Sequence, residues 1–161
     1  MTTKEYNECV SEHADGLFRF VIKNLNDKLE TENIVQNTFK KLWVRIEHID
    51  FKTVKAYLYK IAYHEMIDAT RRSNRFLTLD NASSVISDQK DYDNLMDYVN
   101  KALHELPKQQ KSVVLLRDFE GYDYRSIGKI MDMTESQVKV NIHRARKKIK
   151  AYISKLELMI L

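Results

Sequence analysis

The chain has 161 residues, a length that allows one domain or two small ones, and 31% of those residues are charged. Three glycines and one proline are too few for the turns of a sheet protein, so the composition predicts an all-α fold. No stretch has the pattern of a signal peptide, and no apolar run approaches the ~20 residues of a membrane span, so we expect a soluble, cytoplasmic protein.

The first 75 residues contain three predicted helices. The first opens with the capping-box pattern Thr2-Thr3-Lys4-Glu5, the second begins near Thr31, and the third runs from about Thr53 to Arg72. Their apolar residues recur at steps of three and four, so the segment should form a three- to four-helix bundle. The single cysteine, Cys9, excludes an internal disulfide, and its apolar neighbours at helical spacing favour packing over reactivity.

Charge and periodicity both change in the middle of the chain. Periodicity lapses over residues 76–94, which read as an acidic, flexible linker between two domains. Beyond the linker the charge becomes positive, and Ser136 to Lys155 contains seven basic residues and no acidic one. An ordinary solvated helix face usually mixes both signs, so this segment favours contact with phosphates.

Residues 95–161 are predicted to form a small four-helix domain that ends in a helix-turn-helix. Pro107 suits the first turn of a helix, Gly121 supplies its stop, and Asp123 can cap the next helix. Thr134-Glu135-Ser136-Gln137 matches the capping box of a final, long, basic helix. In the turn between these last two helices, Asp132 stands where a left-handed residue is often required.

The apolar stripe of the final helix determines which of its side chains point outward. Val138, Ile142, Ala145 and Ile149 follow spacings of four, three and four, so they should face the core. In a major groove, the side chains predicted to reach base edges are Gln137, Lys139, Val140, His143 and Arg144. The side chains predicted to hold phosphates are Arg146, Lys147, Lys148 and Lys150.

Both blocks resemble one family, the extracytoplasmic-function (ECF) sigma factors of bacterial RNA polymerase, over nearly the whole chain. The segments similar to the family's C-terminal promoter-reading domain are Leu106-Pro107-Lys108-Gln109-Gln110-Lys111, Leu115 to Tyr122, Gln137-Val138-Lys139 and His143 to Lys148. Residues 32–39 with Trp43 resemble its polymerase-binding helix. Residues 57–62, continuing through Asp68, Arg71 and Arg72, resemble its promoter-melting helix.

The resemblance implies an alternative sigma factor that directs core RNA polymerase to specific promoters and assists promoter melting. It implies a region 2-like domain at 1–75 for the −10 element, the linker at 76–94, and a region 4-like helix-turn-helix domain at 95–161 for the −35 element. The implied partners are core RNA polymerase, promoter DNA and an anti-sigma factor. No cofactor, metal or catalytic residue is implied.

Two sets of residues in the N-terminal block receive roles from the resemblance. The implied polymerase-binding residues are Glu32, Gln36, Phe39 and Trp43, which form one stripe of the second helix. The implied −10 residues are Asp50, Phe51, Lys52, Lys55, Tyr59, Lys60, Tyr63 and His64. On the third helix the tyrosines and lysines should share a face that can stack an unpaired base. The alternative is that these aromatics, with Phe39 and Trp43, are core residues.

Two other classes of function remain as alternatives. A stand-alone regulator would use the same helix-turn-helix, dimerise through the N-terminal block and bind a palindromic site unaided. An enzyme is disfavoured, because the five histidines have no ligand-like spacing and the sequence contains no phosphate loop or nucleophile elbow.

Overall fold

The computed structural model describes residues 1–77 and 94–160, and in those ranges every regular element is helical. The chain forms two compact units, one built on the first three helices and the other on the last four. The all-α prediction is therefore confirmed. Within the described ranges, no helix is both long and apolar enough to cross a membrane.

Helices α1 (Thr3–Leu25), α2 (Lys28–Val44) and α3 (Val54–Leu77) pack against one another as a three-helix bundle. The predicted capping box at the start of α1 is present: the Thr2 hydroxyl accepts from the Glu5 amide, and the Glu5 carboxylate accepts from the Thr2 amide. Two short 3-10 turns, Ile46–His48 and Phe51–Thr53, connect α2 to α3. Local caps thus fix where the first unit begins.

The core of this bundle is made of the apolar stripes that the sequence predicts. Its fully buried members include Leu17, Phe20, Ile34, Leu42 and Leu58. Cys9 is also fully buried, as predicted, and burial raises the pKa of its thiol to about 11.

Two predicted helix boundaries in this unit differ from the structure. Helix α2 begins at Lys28, before the predicted start near Thr31, because Asp27 caps it by accepting a hydrogen bond from the Glu30 amide. Helix α3 continues to Leu77, so the first residues of the predicted linker are helical. The remainder of that linker, residues 78–93, lies outside the described residues.

The second unit contains α4 (Asn94–His104), α5 (Lys108–Val114), α6 (Tyr124–Met131) and α7 (Glu135–Ile160). Helix α5 runs directly into a π-helical turn, Leu115–Phe119, in which the Glu120 amide donates to the Leu115 carbonyl. Gly121, at φ +77°, then ends the segment, as its predicted stop requires. The long helix α7 packs against both α4 and α5.

Candidate nucleic-acid interface

The start and the rotational setting of α7 agree with the prediction. The Gln137 amide donates to the Thr134 hydroxyl at 3.1 Å, and the Thr134 amide donates to Gln137 Oε1 at 2.9 Å. Val138, Ile142 and Ala145 are buried, which anchors one side of the helix in the core. The capping box therefore fixes where the helix begins, and the buried stripe fixes which side it exposes.

The side of α7 opposite this stripe is exposed along four turns. Its exposed members are Ser136, Val140, His143, Arg144 and Lys147, with Lys139, Lys148 and Lys150 at its edges. Val140 is an apolar side chain left 46% exposed between charged neighbours, which suits contact with a thymine methyl group. Gln137 is exposed too, but its carbonyl oxygen is already occupied by the cap. Its NH2 group remains available to donate to a base.

The turn between α6 and α7 depends on two backbone positions. Asp132 adopts the left-handed conformation, at φ 55° and ψ 49°, where the sequence predicts a left-handed residue. The second position is Gly128, which no sequence pattern marks as necessary for the turn. A Cβ at Gly128 would lie 2.5 Å from the Met133 carbonyl oxygen, and the Met133 amide donates to the Gly128 carbonyl at 2.9 Å. The chain can turn this tightly because residue 128 has no side chain.

The N-terminus of α6 is held by Asp123, the predicted cap. Its carboxylate accepts a 2.7 Å hydrogen bond from the Ser126 amide. That bond, the hydroxyl of the same serine and the nearby arginines lower the pKa of Asp123 below its usual value. The cap therefore stays ionised, and it fixes where Tyr124 enters the helix-turn-helix.

Two positively charged side chains, from two other elements of the same unit, lie over the ring of Tyr124. The Arg117 guanidinium lies 4.7 Å from the Tyr124 ring centroid, and the Lys139 ammonium lies 5.7 Å from it. Arg117 also donates to the Tyr122 carbonyl at 3.0 Å. This cluster could not be predicted from local sequence patterns, because Arg117 and Lys139 are 22 positions apart.

Arg146 differs from the other residues predicted to hold phosphates. Its guanidinium contacts both oxygens of Asp118, with Nη2 at 2.6 Å and Nε at 3.3 Å. The hydrogen bond with Asp118 is the main reason that the pKa of Arg146 lies above its usual value. Two nitrogens of the Arg146 guanidinium are thus already engaged in hydrogen bonds within the protein.

The tyrosine face predicted on α3 is contradicted by burial. Tyr59 is 1% exposed and its ring packs 5.4 Å from that of Phe20, and Tyr63 is 8% exposed. Neither ring is available at the surface to stack an unpaired base. The alternative weighed from the sequence, in which the tyrosines are packing residues, describes both.

The remaining predicted −10 residues lie nearer to solvent. Lys52, Lys55 and His64 are exposed, while Phe51 and Lys60 are half-buried. Asp50 is exposed, and its carboxylate accepts from the Lys52 amide at 3.0 Å, so it caps the short turn before α3. The positive charge on this part of the unit is therefore accessible, although the predicted tyrosines are not.

A groove of about 500 Å³ lies beside these residues, between α2 and α3. It is lined by Lys40, Lys41, Val44, Arg45, Tyr57, Lys60, Ile61 and His64. The Arg45 guanidinium donates to the Tyr57 hydroxyl at 3.2 Å, and Lys41 forms an ion pair with the buried Glu65. A half-buried tyrosine ring among lysines and an arginine can stack a base and neutralise the adjoining strand. Sequence reasoning missed Tyr57, although it stands only two positions before Tyr59.

The stripe on α2 predicted to bind polymerase divides between surface and core. Glu32 and Gln36 are exposed, whereas Phe39 is only 8% exposed and belongs to the core, the alternative reading of that residue. Trp43 is 47% exposed, and its ring meets that of Tyr6 edge to face with centroids 4.9 Å apart. The exposed part of the stripe therefore consists of two polar residues and one tryptophan.

Two stretches of the chain match family models. Residues 9–76 match Sigma-70 region 2, and residues 96–149 match Sigma-70, region 4. The first stretch contains most of the three-helix bundle. The second contains the helix-turn-helix together with most of the exposed face of α7.

Two bacterial sigma factors are similar to this chain over most of its length. The RNA polymerase sigma factor SigV of Bacillus subtilis is 26% identical over 93% of this chain and 92% of that protein. The ECF RNA polymerase sigma factor SigE of Mycolicibacterium smegmatis is 26% identical over 93% of this chain and 62% of that protein. Among solved structures, the sigma factor RpoE from Bartonella quintana, in complex with the anti-sigma factor NepR, superposes with a TM-score of 0.80. That superposition covers 94% of this chain and 98% of the other, at 21% identity, and shows likeness of fold.

Proposed function

The chain belongs to the sigma-70 family of bacterial RNA polymerase sigma factors, as a member of the ECF type, and we propose how its surfaces divide the work of promoter recognition. As a sigma factor it directs core polymerase to specific promoters, so it acts as a transcription initiation factor. We propose that it acts in the cytoplasm without catalysing a reaction of its own. We propose 1–75 as the region 2 domain, 76–94 as the linker and 95–161 as the region 4 domain, with α3 running on to Leu77 and α4 beginning at Asn94.

Helix α7 is the proposed reader of the −35 element. Its support is the exposed face opposite the buried stripe, which carries base-reading residue types near the N-terminus and lysines after them. Val140, His143 and Arg144 would meet base edges, with the Gln137 amide group beside them and Lys139 at the margin of the same face. Lys147 and Lys148 would hold phosphates. This face is the single observation that carries the proposal.

The proposed −10 surface lies on α3 and the groove beside it. Lys52, Lys55, Lys60 and His64 keep their proposed roles, with Asp50 and Phe51 at the entrance of the helix. Because Tyr59 is buried, the stacking role passes to Tyr57, whose hydroxyl is held by Arg45. Tyr63 supports this surface from the core.

The proposed polymerase-docking surface is the exposed stripe of α2. Glu32 and Gln36 supply polar contacts, and Trp43 supplies the large, half-exposed aromatic group that anchors many protein interfaces. Phe39 would contribute from beneath by holding the helix in place. An anti-sigma factor is the further proposed partner, because the similar RpoE structure contains one.

The test is run-off transcription with bacterial core polymerase on genomic DNA from the organism that encodes the chain. We expect promoter-specific transcripts only when both proteins are present, and co-elution of the chain with core enzyme. A stand-alone regulator would instead bind a palindromic duplex tightly by itself and would fail to co-elute. That result would contradict the proposal.

A further inference from the structure

One flank of α7 is tied to the rest of its unit at two levels. At 100° per residue, Lys139 and Arg146 project between the buried stripe and the outward face. Lys139 rests on the ring of Tyr124, and two turns later Arg146 meets the carboxylate of Asp118. Two attachments on one side of a helix resist its rotation about its own axis.

The attachment at Arg146 is the more directional of the two. The guanidinium presents Nε and Nη2 to the two oxygens of one carboxylate, an arrangement that fixes both distance and orientation. Asp118 supplies this carboxylate from the π-helical turn, whose backbone is continuous with α5. The contact therefore fixes the rotation of α7 about its own axis relative to α5, against which α7 packs.

We propose that Asp118 is a positioning residue for promoter reading, which acts through Arg146, and that Arg146 serves this contact and does not bind phosphate. The proposal rests on the function of α7 proposed above. Its physical basis is that base recognition tolerates little change in side-chain position. Side chains such as His143 and Arg144 discriminate bases only when held close to one geometry, and a small rotation of the helix displaces them.

The first experiment compares Arg146→Gln with Lys147→Gln in reconstituted holoenzyme. Affinity for a cognate promoter and for an unrelated duplex is measured across a salt series. We expect Arg146→Gln to leave the slope of log affinity against log salt unchanged and to lower the cognate preference by about fivefold. We expect the neighbouring control, Lys147→Gln, to reduce that slope by about 0.9 and to leave the preference unchanged.

The second experiment combines Asp118→Asn with Arg146→Gln. If the two side chains act as one contact, each single variant loses the same preference and the double variant loses no more. Thermal unfolding of each variant, measured beside Lys147→Gln, separates this effect from loss of folded protein. A loss of preference at temperatures where all variants are folded is a readout that a merely stabilising ion pair would not move.

Two results would overturn the proposal: a salt slope that falls for Arg146→Gln as it does for Lys147→Gln, or losses that multiply in the double variant. Failure of the proposed function is a different result. In that case the unmodified chain itself would show no cognate preference with core polymerase.

Discussion

At the scale of single residues, the basic side chains of α7 differ in which part of DNA each can contact. Arg144 lies on the outward face close to the N-terminal half of the helix, where side chains reach base edges. Lys148 lies one turn further on, where a lysine meets the strand backbone. Both are exposed, so burial alone does not separate them, and their roles must be separated by the DNA sequence that each requires.

Arg144→Gln should weaken use of a cognate promoter by about 1–3 kcal/mol relative to unrelated DNA, because one base contact is lost. Lys148→Gln should weaken binding to all sequences alike and reduce the salt slope by about one. Holoenzyme binding to matched and mismatched promoters across a salt series measures both effects. Equal effects of the Arg144 variant on every sequence would mean that Arg144 holds phosphate.

Tyr59 and Tyr57 offer a second residue-level comparison, this time on α3. Tyr59→Ala should lower the free energy of unfolding by about 3–5 kcal/mol, because it empties a buried site beside Phe20. Tyr57→Ala should cost less than about 1 kcal/mol, since that ring borders solvent, yet reduce the melted fraction of promoter in holoenzyme. Thermal unfolding and permanganate footprinting provide the two measurements. A defect in promoter melting, in a Tyr59→Ala protein that is as stable as the unmodified chain, would contradict this assignment.

At the scale of elements, the sequence predicts best what short-range interactions determine. The caps at Thr2, Asp123 and Thr134 and the buried stripe of α7 are set by residues within a few positions of one another, and all of them were predictable. The same holds for the left-handed Asp132.

What could not be predicted depends on partners that are distant in sequence. Tyr59 is buried because α1 brings Phe20 against it, and its spacing from Lys52 suits an exposed face equally well. Arg146 meets Asp118, a residue 28 positions earlier in the chain that lies inside the π-helical turn. No pattern of spacing in the sequence marks that turn, so the contact between Arg146 and Asp118 could not be predicted.

The turn of the helix-turn-helix supports an element-level prediction at Gly128. Gly128→Ala should lower the free energy of unfolding by about 1–3 kcal/mol, because the new methyl group would collide with the Met133 carbonyl. Alanine's better helix propensity returns only about 0.5–1 kcal/mol. Lys129→Ala, an exposed neighbour on the same helix, is the matched control and should not destabilise. A Gly128→Ala protein as stable as the control, by thermal unfolding, would show that the turn can relax.

At the scale of the whole molecule, two units on one chain are proposed to hold two promoter elements. Each unit carries its own exposed positive surface, on α3 and its groove in the first and on α7 in the second. Two contacts on one duplex must satisfy both the distance and the rotation between the elements. We therefore expect a promoter for this chain to have a preferred spacer length.

Inserting five base pairs between the two elements turns one relative to the other by about half a helical turn. We expect this insertion to reduce run-off transcription far more than a one-base-pair insertion does, although both promoters keep their elements intact. The comparison uses the unmodified protein with core polymerase. Equal transcription from both promoters would mean that only one element is read.

The π-helical turn at Leu115–Phe119 also bears on how this domain tolerates insertions and deletions. A π turn is an α-helix with one residue too many, so deleting a residue there would give a regular helix with better hydrogen bonds. Because Asp118 lies inside the turn, the same deletion would change the direction of its carboxylate relative to Arg146. Selection for a more regular helix and selection for a correctly aimed one thus oppose each other at this turn. We expect the irregular turn to be kept in descendants of this gene that retain its promoter preference.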